Sequence, residues 1–218
     1  EQSQICRCLH QVAHPKSQKH PFFLHLRIAF LLVKHYPEEC TELLLKENHK
    51  SITPNMSFVY LERKATKPNA PLLVLLHGYG SNDADLFSFA EYIPNNFHVV
   101  SLQAPLTLGE RSFAWFPIHF TDSMERWTSP DEVKKATDYI NTFLNYYSAK
   151  HDFNNEYVYL MGFSQGAMLS YAVGLATKNI KGIAALSGYL DPRVVKQTNS
   201  SISSIYVSHG TEDMVVPF

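Results

Sequence analysis

A serine flanked by two glycines is the residue in this sequence best suited to chemistry. The stretch Gly162-Phe163-Ser164-Gln165-Gly166 fits G-x-S-x-G, which presents a nucleophilic serine on a sharp turn between a strand and a helix. An apolar run precedes it and a helical apolar pattern follows it, as that turn requires. A serine hydroxyl needs a neighbouring base to take its proton, so we predict a serine nucleophile that works with a histidine. The alternative is an ordinary helix N-cap serine.

A glycine-rich turn after an earlier apolar strand supplies a second element, His77-Gly78-Tyr79-Gly80. Acyl transfer needs N–H donors aimed at the oxyanion that develops on the carbonyl. We predict the backbone N–H groups of Tyr79 and Gln165 as these donors, with the Gln165 side chain incidental to the hole. His77 precedes the serine and belongs to this loop, so we expect a hydrogen-bonded structural histidine. The alternative for the whole stretch is an ordinary glycine turn.

A carboxylate follows a third strand-and-glycine pattern, in residues 208–217. A triad acid must orient a histidine and stabilise its charged form. Asp213 has the position for this role, beyond a late strand and after the serine in the order Ser, Asp, His. Asp191 and Glu212 are rivals, and Asp213 could also be an Asx-turn residue.

The elements that must position these motifs alternate along the chain. Apolar strand patterns occupy residues 57–63, 71–78, 97–105, 156–163, 180–190 and 201–210, and helical patterns occupy residues 83–93, 130–150 and 164–177. Alternation of this kind predicts a mainly parallel central sheet with helices on both faces, a three-layer α/β sandwich. Active sites in such sheets lie beyond the carboxyl ends of the strands. All three motifs lie at such ends.

Together and in this order, the motifs resemble the α/β-hydrolase fold and, more narrowly, the phospholipase/carboxylesterase family, which includes acyl-protein thioesterases and small bacterial serine esterases. The resemblance covers residues 56–218 and is carried by LLHGYGSNDADL, APLTLGERSFAWF, GFSQGAMLSYAVGL, ALSGYL and SHGTEDMVVP. It implies that Ser164 is the nucleophile and Asp213 the acid. It also implies that Tyr79 and Gln165 supply the oxyanion hole. By the same resemblance, the substrate of the protein would be a small-molecule or lipid acyl ester. The resemblance implies no metal and no organic cofactor.

A long connection rich in aromatic residues spans residues 106–128, and we call it the aromatic connection. Connections of this length in a compact domain often carry function. The family resemblance places Trp115 and Phe116 in the lining of an acyl pocket. Ser129, followed by Pro130 and by Glu132, then predicts a helix start with a capping box.

The sequence departs from the family where the base is expected. The family places its catalytic histidine after the acid, but only residues 214–218 follow Asp213 and none is His. His209 is the best substitute, and the other candidates precede the serine: His77, His98, His119 and His151. We therefore expect a sequence that stops before its base, its last strand and its last helix, with weak or absent turnover. The alternative is a non-catalytic hydrolase-like module that binds acyl groups or a partner.

The first 55 residues differ in composition from the rest. They contain all three cysteines and six of the eleven histidines, whereas all nine glycines lie between positions 78 and 210. We expect a domain over residues 56–218 and an N-terminal extension of unknown role, foreign to the domain or poorly ordered. A real extension with one or two helices is the alternative. A zinc site is not indicated, because the spacing of its possible ligands matches no standard pattern: Cys6, Cys8, His10 and His14.

The overall composition excludes some function classes. A formal net charge of −1 gives no basic field for nucleic acid. The 45% hydrophobic and 18% charged residues are typical of a soluble globular protein. The longest apolar stretch, residues 21–33, is too short to span a bilayer and precedes no small-residue cleavage site. We interpret the protein as cytoplasmic, without an integral membrane segment.

Overall fold

The computed structural model describes residues 49–50, 57–120, 126–194 and 201–216. Within them the strands are β1 (His49–Lys50), β2 (Ser57–Phe58), β3 (Tyr60–Arg63), β4 (Leu72–Leu76), β5 (His98–Leu102), β6 (Leu106–Gly109), β7 (Ser112–Ala114), β8 (His119–Phe120), β9 (Arg126–Trp127), β10 (Val158–Phe163), β11 (Ile180–Leu186) and β12 (Ser204–Ser208). The helices are α1 (Asp83–Phe87), a 3-10 helix (Ser88–Tyr92), α2 (Pro130–Ser148) and α3 (Gln165–Ala176).

Six strands form the central sheet, in the order β12-β11-β10-β4-β5-β3. All neighbours run parallel except β3, which pairs antiparallel with β5. All five residues of β4 and of β5 are buried, as expected for strands covered on both faces. Alternate residues of β4 join two separate cores: one contains residues of α2 and α3, and the other contains residues of α1. The predicted mainly parallel sheet between two helical layers is confirmed.

The strand register brings the ends of four parallel strands to one edge. Leu76 at the end of β4 pairs with Gly162, and Phe163 at the end of β10 pairs with Leu186 of β11. Leu186 in turn pairs with Ser208, the last residue of β12. The segments that follow these strands therefore emerge side by side, about 4.8 Å apart from strand to strand. We call this edge of the sheet the carboxyl edge.

Helix α2 begins where the sequence predicts, but its cap differs. Pro130 is the first residue and Ser129 is the N-cap, yet within the described residues the Ser129 side chain makes no capping hydrogen bond. The Glu132 carboxylate instead bonds Nε2 of His119, at 2.9 Å. The capping-box part of the prediction is wrong, because the carboxylate that would complete the box has a tertiary partner.

The predicted helix over residues 83–93 divides into two. Helix α1 ends at Phe87 and the chain tightens into the 3-10 helix. Pro94 favours extended backbone in the residue before it, and Ile93 has ψ 136°. Arg63 then donates hydrogen bonds to the carbonyl oxygens of Ile93 and Pro94, at 2.8 and 3.0 Å. In a longer helix these carbonyl groups would accept hydrogen bonds from N–H groups of the next turn. Here they accept them from Arg63 instead.

The aromatic connection contains strands that the sequence does not reveal. β6 and β7 form an antiparallel hairpin, and β8 pairs antiparallel with β9. Arg111 has φ 53° at the tip of the hairpin. Every residue of β6 is exposed, Leu106 and Leu108 among them. A strand without a buried face shows no alternation of apolar and polar residues, so the pattern gave no signal.

Little of the N-terminal segment lies within the described residues. Its described part is β1, which pairs antiparallel with β2. The two possible helices and the four possible zinc ligands fall outside the described residues. Among the helices that are described, none combines the length and the apolar character that crossing a membrane requires.

Candidate active site

Ser164 lies on the tight turn between β10 and α3, and we call residues 162–166 the serine turn. Its backbone has φ 51° and ψ −114°, a conformation that costs a non-glycine residue about 1–3 kcal/mol. Its N–H donates to the Leu186 carbonyl at 2.8 Å, and its carbonyl accepts from Ala167 and Met168 at 3.0 and 3.1 Å. Strain held by hydrogen bonds on both sides is the geometry of a nucleophile turn.

The two glycines of the motif are required by close backbone contacts. A Cβ on Gly162 would lie 2.1 Å from the Gly166 carbonyl oxygen. A Cβ on Gly166 would lie 1.9 Å from the carbonyl oxygen of Leu76. The first turn of α3 therefore packs directly on the end of β4, and only glycine leaves room for it.

A third glycine near the serine turn was not singled out by the sequence. Gly188 follows β11, and a Cβ there would lie 2.5 Å from Cβ of Ala167 and 2.8 Å from the Ser164 carbonyl oxygen. The preceding residue, Ser187, has φ 49°. Glycine directly after a strand was the available signal, because such a position often marks close backbone approach.

The His77-Gly78-Tyr79-Gly80 segment, which we call the HGYG loop, leaves β4 beside the serine turn. Gly80 has φ 81°, and its N–H donates to the Phe113 carbonyl at 2.9 Å. Gly78 faces the Phe163 ring, since a Cβ there would lie 3.0 Å from that side chain. The loop therefore lies on the serine turn and is tied to the aromatic connection.

The backbone N–H groups of Tyr79 and Gln165 are among those at this edge that have no backbone acceptor within the described residues. They follow the ends of β4 and β10, which are neighbours in the sheet. Unsatisfied N–H groups beside a nucleophile can receive a developing negative charge. The position of Gln165 at the start of α3 adds the positive end of the helix dipole.

His77 is fully buried, and both of its ring nitrogens are engaged. Nδ1 lies 2.8 Å from the Gly78 carbonyl oxygen, which can only accept, so Nδ1 carries the proton. Nε2 then accepts from the Ala104 N–H at 3.1 Å. Burial lowers the pKa of His77, and the bond to Gly78 offsets this in part. His77 is therefore a neutral structural group.

The state of His77 gives a pH prediction. Below about pH 6.5 the unfolded chain binds a proton at this histidine that the folded chain excludes. Stability should therefore fall as pH drops from 6.5 towards the lowered pKa of the folded state. Urea unfolding between pH 8 and pH 5 should show a smaller decline for His77→Gln than for the wild type. Equal slopes for the two proteins would contradict this assignment, whatever their absolute stabilities.

Trp115 packs against the HGYG loop, and Phe116 follows it in the chain. Both are buried, and their side chains are 2% and 1% exposed. The Trp115 indole N–H donates to the His77 carbonyl at 2.8 Å, and the two rings are 5.1 Å apart. Trp115 therefore supports the loop, while the Phe116 carbonyl accepts a hydrogen bond from the Gln165 side chain. Their expected place in an acyl pocket stays a prediction.

The Gln165 side chain has partners that no sequence pattern indicates. It is 2% exposed, and its oxygen accepts from the Trp115 N–H at 2.9 Å. Its amide nitrogen donates to the Phe116 carbonyl at 2.7 Å. These bonds tie the serine turn to the aromatic connection, about fifty positions away in the chain.

Asp213 lies on the turn that follows β12, at the carboxyl edge. One carboxylate oxygen accepts from the N–H groups of Val215 and Val216, each at 2.9 Å. The other lies 3.6 Å from Nε2 of His209, which bonds the Val216 carbonyl at 2.6 Å. The bond from Val216 is the main reason that the pKa of Asp213 is lowered. The carboxylate is thus ionised and suited to orient a cation.

The rival acids have different surroundings. Asp191 is buried, and the Arg193 guanidinium bonds both of its oxygens, with a closest distance of 2.6 Å. This bonding holds the pKa of Asp191 below its usual value. Because Arg193 already neutralises that carboxylate, Asp191 is poorly placed to orient a histidine. Glu212 is exposed on the same turn as Asp213.

The histidines of the described residues do not supply an evident base. His98 begins β5, at the edge of the sheet opposite the serine turn. His151 lies 3.9 Å from Glu62, and His119 bonds Glu132. None of the hydrogen bonds that these imidazoles make within the described residues is to the Ser164 hydroxyl. Two of the described histidines lie at the carboxyl edge: His77, whose two ring nitrogens are both engaged, and His209, next to Asp213.

Large apolar side chains are exposed after the ends of neighbouring strands. Tyr79 follows β4, Phe163 ends β10, and Tyr189 and Leu190 follow β11; their exposed fractions are 44%, 42%, 44% and 44%. They lie at the carboxyl edge that carries Ser164. The surroundings of the serine are therefore partly apolar. No group of three His, Cys, Asp or Glu side chains in the described ranges is arranged to hold a metal.

Comparison with known proteins finds a matching family and similar folds. A family described as Phospholipase/Carboxylesterase matches residues 61–218. The chain is 30% identical to an acyl-protein thioesterase 1 of Mycosarcoma maydis, over 72% of this chain and 74% of the relative. The crystal structure of esterase PE8 superposes with a TM-score of 0.65 at 28% identity, covering 73% of this chain and 78% of that one. A Bacillus cereus carboxylesterase shares the fold, with a TM-score of 0.64 at 21% identity and 75% coverage of each chain.

Proposed function

Since the chain belongs to the phospholipase/carboxylesterase family, we propose that it hydrolyses carboxylic esters or thioesters through an acyl-enzyme on Ser164. The observation that carries this proposal is the strained, glycine-flanked Ser164 at the end of β10, with the HGYG loop at the end of the neighbouring strand β4. Ser164 is half-buried, and a serine held at positive φ between a strand and a helix has the conformation that a nucleophile turn requires.

The proposed reaction assigns a role to each group. The Ser164 oxygen attacks the acyl carbon while a histidine takes its proton. The carbonyl oxygen becomes an oxyanion that accepts hydrogen bonds from the N–H groups of Tyr79 and Gln165. The intermediate collapses, the bond to the alcohol or thiol breaks, and the histidine returns the proton to that leaving group. Water then repeats these steps on the acyl-enzyme and releases the acid and free Ser164.

Asp213 is the proposed acid, because its carboxylate is held at the carboxyl edge without a neutralising arginine. In the order Ser, Asp, His, the base would be a histidine after Asp213. None of residues 214–218 is a histidine. We therefore propose that the 218-residue chain itself turns over slowly. A contribution from His209 as a substitute base is the competing explanation for any activity.

The proposed substrate has an apolar acyl group. Exposed apolar side chains after β4, β10 and β11 lie at the carboxyl edge. They suit the hydrocarbon side of an ester better than a charged group. The name of the Mycosarcoma maydis relative adds thioesters to the substrates worth testing.

The test is hydrolysis of a short-chain nitrophenyl ester by the 218-residue chain, with and without added imidazole. We expect slow turnover that rises with imidazole, because a free imidazole can replace a missing base. Fast turnover without imidazole that His209→Ala removes would identify His209 as the base. Turnover that imidazole does not change and that survives Ser164→Ala would overturn the proposal.

A second candidate function is binding without catalysis. It is favoured by one observation: the hydrogen bonds of the imidazoles in the described residues go to groups other than the Ser164 hydroxyl. Such a module would bind an apolar acyl ester at the same edge and leave it intact. Saturable binding with no acyl-enzyme in the presence of imidazole, seen by intact-protein mass spectrometry, would favour this function over hydrolysis.

A further inference from the structure

The Gln165 side chain makes a pair of buried hydrogen bonds that the proposed reaction does not use. Its oxygen accepts from the Trp115 N–H and its nitrogen donates to the Phe116 carbonyl, at 2.9 and 2.7 Å. The side-chain amide therefore accepts one hydrogen bond from this backbone segment and donates one to it, as a residue of a neighbouring strand would. Both backbone groups would be left unpaired and buried if the side chain lost these bonds.

The bonds continue from Trp115 to the HGYG loop. The Trp115 indole N–H donates to the His77 carbonyl at 2.8 Å. The His77 imidazole donates from Nδ1 to the Gly78 carbonyl at 2.8 Å and accepts at Nε2 from the Ala104 N–H. The chain of bonds thus runs from the residue after the serine to the peptide group that precedes Tyr79.

The direction of the Gly78 carbonyl fixes the direction of the Tyr79 N–H. The two groups belong to one planar trans peptide, in which the C=O and the N–H point in opposite directions. A hydrogen bond that fixes the Gly78 oxygen towards the His77 ring therefore turns the Tyr79 N–H away from that ring. Rotation of this peptide would put a carbonyl oxygen where a donor is needed.

We propose that the Gln165 side chain is a positioning residue, which holds the aromatic connection and, through Trp115 and His77, sets the direction of the Tyr79 N–H. One residue then links the two donors: its own N–H is one of them, and its side chain fixes the loop that carries the other. This inference rests on the proposed function. It adds a role for a side chain that is itself remote from the reacting atoms.

Two substitutions separate positioning from simple space filling. Gln165→Met keeps the length of the side chain and removes both hydrogen bonds. Gln165→Glu keeps the shape, but an ionised carboxylate cannot donate to the Phe116 carbonyl. When protonated, the new carboxyl group can donate to Phe116 and still accept from Trp115. Burial raises the pKa of such a carboxyl, so this form is accessible in mild acid.

The experiment measures the rate at which a fluorophosphonate modifies Ser164 in the 218-residue chain, with imidazole present, from pH 5.5 to 8.5. Each rate is divided by the wild-type rate at the same pH. Gln165→Met should react about 10- to 100-fold more slowly at every pH, since small misplacements in an active site have effects of this size. At pH 8.5, Gln165→Glu should react as slowly as Gln165→Met. At pH 5.5 it should regain most of the wild-type rate.

The control is Thr177→Val, at the other end of α3. It removes the 2.9 Å bond from Thr177 to Asn141, and should lower the melting temperature without changing the labelling rate. Wild-type rates for both Gln165 variants, or equal losses that pH does not change, would overturn the inference. Failure of the wild-type protein to react at Ser164 would instead overturn the proposed function.

Discussion

Replacement of Ser164 by alanine should reduce ester hydrolysis, measured with imidazole present, to the rate of imidazole alone. The nucleophile is lost, while the N–H groups of Tyr79 and Gln165 remain. In a serine hydrolase with all its groups this change costs about 10⁶-fold in kcat. For the 218-residue chain, which we propose turns over slowly, we expect a loss of at least about 10-fold. A nitrophenyl ester assay at saturating substrate measures it.

The fold should survive this change, because Ser164 lies at positive φ and alanine accepts that backbone no worse than serine. Circular dichroism should therefore show an unchanged melting temperature within about 2 °C. Ser148→Ala, on α2 away from the carboxyl edge, is the matched control and should keep full activity. Equal activity of the Ser164→Ala protein and the control would show that another residue carries the reaction.

Replacement of Gly166 by alanine should have the second large effect, on stability and activity together. The added Cβ would lie 1.9 Å from the carbonyl oxygen of Leu76 and 2.7 Å from that of His77. Both atoms are backbone, so α3 must move away from β4. We expect a loss of about 3 kcal/mol and a fall in melting temperature of roughly 6–12 °C. The labelling rate of Ser164 should fall as well, because the serine turn moves with the helix.

Gly109→Ala is the control for this prediction. A Cβ at Gly109 would have its nearest neighbour 4.0 Å away, at Ser112, and the residue lies in exposed β6. Its melting temperature should change by an amount equivalent to less than about 0.5 kcal/mol. Similar losses for the two variants would mean that the contact between α3 and β4 is looser than the distances indicate.

Local constraint explains what the sequence could predict. The run from Val158 to Phe163 is apolar throughout and ends in a motif that only a strand, a turn and a helix accommodate. The glycines at 162 and 166 indicate close backbone contact, but they do not show which segment makes the contact. The order of strands and helices then implies a parallel sheet, and parallel strands bring their ends to one edge. The place of the candidate site was therefore predictable.

Long-range partners explain what the sequence could not predict. The Gln165 amide bonds backbone groups about fifty positions earlier, and nothing in G-x-S-x-G requires a bond there. The capping box failed for the same reason, since His119 takes the Glu132 carboxylate. Asp191 is a contrasting case: Arg193 stands two residues later, so a local ion pair could have been predicted from their spacing.

The most direct test of the central claim is the site at which a fluorophosphonate attaches to the 218-residue chain in the presence of imidazole. We expect one added group per chain, on the peptide that contains Ser164, and none on the Ser164→Ala protein. Heat-unfolded protein should not react, because the activated serine depends on the folded turn. Attachment at another residue, or no attachment to the folded wild-type chain, would contradict the assignment of Ser164 as the nucleophile.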